Sequence, residues 1–134
     1  MSNSSEFEIQ DGVLIKYNGR AAGTVVIPDG VVKIGDWAFR DCFISGVTFP
    51  ESVKIIGEGA FAENIIDKVE IPQTVTEIGN FAFAGNYLLK SASISGGVAA
   101  LPHGIFNNCM QLAYVTLSEG LMSIGESAFL GCLS

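Results

Sequence analysis

His103 is the one histidine in the chain, and an imidazole does acid–base or metal chemistry only with partners placed around it. No Asp, Cys or second His stands beside it at triad or metal-ligand spacing. It shares a position with Asp36, Glu58, Asn80 and Glu126, where a solvated turn is expected, and it reads as a turn residue. The cysteines Cys42, Cys109 and Cys132 are odd in number and widely spaced, which excludes a complete disulfide framework and a Cys-x-x-Cys metal knuckle. Fourteen acidic residues against seven basic give a formal charge of −7, unsuited to a nucleic-acid backbone or an anionic membrane. The residues therefore imply no enzyme, no metal and no cofactor.

The elements that position these residues are set by a repeat. Phe39, Phe61, Phe83, Phe106 and Phe129 are separated by 22, 22, 23 and 23 residues. The same steps recur from Val25 to Val115, from Ile27 to Leu117, from Val31 to Leu121, from Ile34 to Ile124 and from Ala38 to Ala128. One unit reads V-x-I-P-x-x-V-x-x-I-G-x-x-A-F-x-x-C/N. Val25 and Ile27 are two apart and face one side of a short strand, which buries that side only when copies stack into a parallel ladder. Pro28-Asp29-Gly30 bends the chain, and Gly35 lets it turn again. Asp36 and Asn80 are placed to cap a single turn of 3₁₀ or α-helix.

Each unit is thus one rung of a solenoid, with the Phe column as an internal spine whose rings sit about 4.5–7 Å apart. Phe43, Ile65, Tyr87, Met110 and Leu133 form a further apolar column, expected to close the core from the other edge. Residues 1–24 break the repeat. Phe7 and Ile9, then Val13, Ile15 and Tyr17, alternate about Asp11-Gly12, which predicts a β-hairpin capping the first rung. The domain reading is a single repeat domain over 1–134, with the cap at 1–24 and five repeats over 25–134, the last incomplete. The leading MSNSSEFEIQ lacks the basic and apolar regions of a signal peptide, and no apolar run reaches membrane-spanning length.

The unit resembles the treponeme-type leucine-rich repeat of bacterial surface proteins and adhesins. Val25-Val26-Ile27-Pro28, Val31 to Phe39 with Cys42, Val47 to Phe61 and Val69 to Phe83 carry the resemblance most clearly. It implies a leucine-rich-repeat solenoid with short parallel strands on the concave side and turns elsewhere. It also implies a non-enzymatic protein-binding or adhesion module, with a cell-surface or secreted location. The compartment stays unknown from the chain itself.

Facing out from the strands are Val26, Thr48, Glu70, Ser93 and Thr116, flanked by Lys68 and Tyr114 among others. This surface is either the seat of a protein or host-matrix ligand or a plain solvated sheet face. Trp37 and Phe81 share a column with Gly59, Gly104 and Ser127, and are either interface anchors or satellite packing. Cys42, Asn64, Asn86, Cys109 and Cys132 share an inward-facing turn position. Their reading is structural, with a reactive thiol at Cys132 as the alternative. The last rung leaves Val115, Leu117, Leu121, Ile124 and Phe129 on an open end, a candidate homodimer face. The second functional reading is a self-associating structural array, or a piece of one.

Overall fold

The computed structural model describes residues 6–19, 23–95 and 97–133. The hairpin is formed by β1 (Phe7–Gln10) and β2 (Val13–Tyr17), joined through Asp11 at φ 54° and Gly12 at φ 78°. These two left-handed residues make the turn that matches the twist of the flanking strands. The bulge in this pair corrects the simple alternation. Its register shifts between Glu8 and Ile9, so Leu14 and Tyr17 both turn inward while Ile15 is exposed.

Each coil that follows contributes one longer strand and one two-residue strand. In chain order these are β3 (Gly23–Val26), β4 (Lys33–Ile34), β5 (Ile44–Thr48), β6 (Ile55–Ile56), β7 (Lys68–Ile71) and β8 (Glu77–Ile78). They continue as β9 (Ser91–Ile94), β10 (Ala100–Leu101), β11 (Tyr114–Thr116) and β12 (Ser123–Ile124). The longer strands pair in parallel, β3 with β5, and β9 with β7 on one side and β11 on the other, matching Val25 to Val47, and Ala92 to Val69 and Val115. The short strands make a second parallel ladder that the repeat pattern does not announce. In it β4, β6 and β8 follow β2, and β10 pairs with β12. The hairpin extends this second ladder through Leu14 beside Ile34, and thereby covers the first rung.

The Phe spine forms as the spacing predicts. Phe39, Phe61, Phe83 and Phe106 are fully buried, and successive centroids from Phe39 to Phe129 lie 5.0, 5.3, 6.3 and 5.7 Å apart. Tyr17 heads the stack, 4.9 Å from Phe39, and its amide donates to Ala38 O just as Phe39 N donates to Ala60 O. The cap therefore supplies the first ring of the spine.

The column expected to close the core does not. Phe43, Tyr87, Met110 and Leu133 are exposed and Ile65 is half-buried. The inward residues are Ile44, Ile66, Leu89 and Leu112, one residue after that column in the first two rungs and two after it in the next two. The longer step is taken up in turns closed by Leu89 N to Asn86 O and Leu112 N to Cys109 O. Phe43, at φ 60°, swings outward as Ile44 enters the strand.

Between short strand and spine the chain makes isolated i→i+3 turns, such as Ala38 N to Gly35 O and Arg40 N to Trp37 O. A left-handed residue at 37, 59, 81, 104 and 127, and again at 41, 63, 85, 108 and 131, stops each turn from propagating into a helix. Asp36 accordingly caps nothing; its Oδ1 accepts from Glu58 N of the next rung at 2.9 Å. Gly57 and Gly79 are required by contact, since a Cβ at either would press on the backbone of the rung before it. Among the described residues no helix is long and apolar enough to cross a membrane.

Candidate functional site

The strand ladder sets the outward side chains in rows. Val26 lies beside Thr48, Ser93 lies between Glu70 and Thr116, and Ser91 lies between Lys68 and Tyr114. Val26, Thr48, Glu70, Tyr114 and Thr116 are exposed and Ser93 is half-buried. Thr48, Glu70 and Ser93 line an open groove of about 400 Å³ whose wall is Phe49, Pro72 and Ser95. Lys68 and Glu70 form an exposed ion pair at 3.8 Å, and Lys68 lines an adjoining hollow of about 250 Å³ with Thr24 and Gly46. The structure thus brings Thr48, Glu70 and Ser93 into one groove, while Tyr114 and Thr116 continue the row outside it. Phe49 and Pro72, marked in sequence by nothing beyond their repeat positions, stand just past the ends of β5 and β7 and make the apolar wall.

His103 sits half-buried on its turn with its ring edge-on to Phe81 at 5.1 Å. Among the described residues, no group of three or more His, Cys, Asp or Glu is placed to hold a metal ion.

The inward Asn and Cys column ties rung to rung. Asn64 Oδ1 accepts from Cys42 N at 2.9 Å and Ile44 N at 3.2 Å, and its Nδ2 donates to Phe39 O at 2.8 Å and Phe61 O at 3.0 Å. Asn86 repeats this on Ile66 N, Phe61 O and Phe83 O. Cys109 and Cys132 donate the equivalent inter-rung bond, Cys109 Sγ to Phe83 O and Cys132 Sγ to Phe106 O, each at 3.3 Å, whereas Cys42 Sγ donates to Arg40 O at 3.4 Å within its own rung. Burial pushes the Cys109 thiol up to about 12, against a lowering backbone hydrogen bond from Asn86 and with a smaller upward push from Cys132. Burial also raises Cys132. The protonated thiols are donors held for structure, and the nucleophilic thiolate is disfavoured at both.

Trp37 and Phe81 stand at φ 58° and 60°, in the column where Gly59 and Gly104 stand at φ 59° and 65°. A Cβ on Gly59 would overlap the Trp37 ring, and one on Gly104 the Phe81 ring. Each aromatic therefore packs on the glycine of the rung above it. Trp37 is still 43% exposed, so it both packs and presents surface. In the last rung Val115, Leu117, Leu121 and Phe129 are half-buried and Ile124 is 54% exposed. Met122 and Leu130, which lie outside the repeat columns, add to the apolar exposure of this end.

The profile of the BspA type Leucine rich repeat region matches residues 17–134 in six copies. A leucine rich cell surface protein from Faecalibacterium prausnitzii A2-165 is similar in structure at 28% identity and TM-score 0.59, over 82% of this chain and 39% of that one. A leucine-rich repeat protein from Eubacterium ventriosum is similar at 18% identity and TM-score 0.72, over 99% of this chain and 52% of that one. A T. pallidum leucine rich repeat protein aligns at 24% identity and TM-score 0.50, over 98% of this chain and 89% of that one. The last two likenesses concern the fold. The chain spans 39% and 52% of the length of the first two of these proteins. No curated protein matches the sequence.

Proposed function

The chain belongs to the BspA-type leucine-rich repeat family, and from that premise we propose that it is a non-enzymatic module that binds a protein or host-matrix ligand for a bacterial surface or secreted protein. The observation that carries this reading is the strand-face groove, where Thr48, Glu70 and Ser93 come from successive rungs. A row of short hydroxyls with one carboxylate lets a partner surface approach closely, and Phe49 and Pro72 give it an apolar edge to cover. The acidic surplus favours basic partners and makes encounter salt-dependent. Surface placement draws support from the cell surface protein of F. prausnitzii.

Binding of the chain to immobilised fibronectin, laminin and type I collagen tests this, with Thr48→Arg and Ser93→Arg combined as the variant. The native chain should bind at least one of the three, and the double variant, which fills the groove without touching the core, should lose that binding. Binding that survives both arginines would remove the strand face from the reading.

A second reading, self-association through the last rung, is favoured by the exposure of Ile124, Met122 and Leu130. Val115, Leu117, Leu121 and Phe129 would be covered with them in a symmetric tail-to-tail dimer. Sedimentation across the micromolar range, with Leu117→Lys as the dissociating variant, decides it; a native chain that stays monomeric rejects the dimer.

A further inference from the structure

We propose that the turn side carries a second site, independent of the strand face: a cleft that binds a neutral saccharide against the rings of Trp37 and Phe81. The cleft has a volume of about 300 Å³, at the lower end of small-molecule sites. Its floor is Ala62, Ala84 and Gly85, and its rim is Arg40, Glu63, Asn107 and Asn108.

The backbone makes the two rings unusual. Their column is left-handed in all five rungs, a conformation that suits the glycines at 59 and 104 and is costly for bulky side chains. Two of the largest residues nonetheless occupy it, and strained positions of this kind gather at ligand sites. Seated on Gly59 and Gly104, both rings are fixed before any ligand arrives, so little ordering entropy opposes binding.

The ligand class follows from what the cleft offers. Its backbone donors are already used between rungs: Glu63 N to Ala84 O at 2.8 Å, Gly85 N to Asn107 O at 2.8 Å and Asn108 N to Leu130 O at 2.7 Å. A peptide would therefore find no strand edge to pair with. Recognition falls to side chains: aromatic faces, two planar amides and a held charge pair. Arg40 Nε lies 3.1 Å from Glu63 Oε1, and the guanidinium carbon lies 5.4 Å from the Trp37 ring centre. A sugar ring matches this set, with its C–H face on the aromatics and its hydroxyls both donating and accepting along the rim. The Arg40–Glu63 pair is neutral as a unit and the chain carries −7, which disfavours uronates and sulfated glycans.

Trp37 is the one tryptophan of the chain, so its fluorescence reports on the cleft directly. The native chain is titrated with cellotetraose, chitotetraose, mannotetraose and a heparin tetrasaccharide into the millimolar range. At least one neutral tetrasaccharide should give a saturating change, and the heparin probe should bind more weakly. Phe81→Gly, which installs the residue this column accepts, should weaken binding about tenfold. By calorimetry Trp37→Gly should abolish the heat of binding, and Tyr114→Ala on the strand face should leave it unchanged. Thermal melts of the variants confirm that they are folded. No saturating change with any neutral probe, tighter binding of heparin, or equal affinity in folded Phe81→Gly would overturn the proposal.

Discussion

Replacing Phe61 by Ala probes the spine where it is most enclosed. The ring is fully buried, lies 5.0 Å from Phe39 and 5.3 Å from Phe83, and meets Phe49 edge-on at 5.6 Å. Truncating a core Phe costs about 3–5 kcal/mol, and three aromatic partners worth roughly 0.5–1.5 kcal/mol each place this site near the upper end. Phe129, half-buried with Phe106 as its one ring neighbour among the described residues at 5.7 Å, should cost about 2 kcal/mol by the same reckoning. In urea, with a slope of about 1–3 kcal/mol/M, the Phe61→Ala midpoint should fall by about 2 M or more and the Phe129→Ala midpoint by about half that. Equal shifts, or a loss below about 2 kcal/mol at Phe61, would refute the idea that the stack is the main mechanical element of the solenoid.

Asn64→Ala removes the acceptor of Ile44 N and the donor to Phe39 O, while Phe61 O keeps Asn86 Nδ2, and should cost about 2–4 kcal/mol by thermal melting. Asn64→Cys, which restores the donor used at Cys109, should recover a measurable part of that loss. Gly59→Ala puts a methyl into the Trp37 ring at φ 59° and should destabilise by about 1–3 kcal/mol, whereas Gly59→Ala combined with Trp37→Gly should be milder. The alkaline limb of stability follows from Cys109. Its folded-state pKa of about 12 stands above the ordinary 9.0, so its contribution is full below pH 9 and is lost as pH rises from there toward 12, by about 1.4 kcal/mol per pH unit. Urea melts from pH 8 to 10.5 should show a shallower decline for Cys109→Ala; identical slopes would mean the thiol ionises without penalty.

The sequence carries the spine and the strand rows because each depends on one residue recurring at one shared set of steps. Phe39 to Phe129 step by 22, 22, 23 and 23, and the outward residues from Thr48 to Thr116 by 22, 23 and 23. The second ladder left no mark because two-residue strands such as Lys33–Ile34 are too short to show alternation. Tyr17 was hidden as the head of the stack because the hairpin replaces the repeat motif around it. The column from Phe43 to Leu133 misled because the turn before the third and fourth inward residues is one residue longer, so a constant offset no longer points inward. The left-handed column at Trp37 and Phe81 was signalled only by Gly59 and Gly104, which read as small residues with no packing demand. In the structure they are the floor on which the rings lie.

The claim that the strand face is the ligand side is tested most directly by photo-crosslinking from single positions. p-Benzoylphenylalanine is placed at Glu70, inside the groove, or at Glu77, on the exposed edge of the second ladder, and each variant is irradiated with the matrix protein the chain binds. Adducts forming from position 70 and not from position 77 are the predicted result; adducts from position 77 alone, or equally from both, would contradict it.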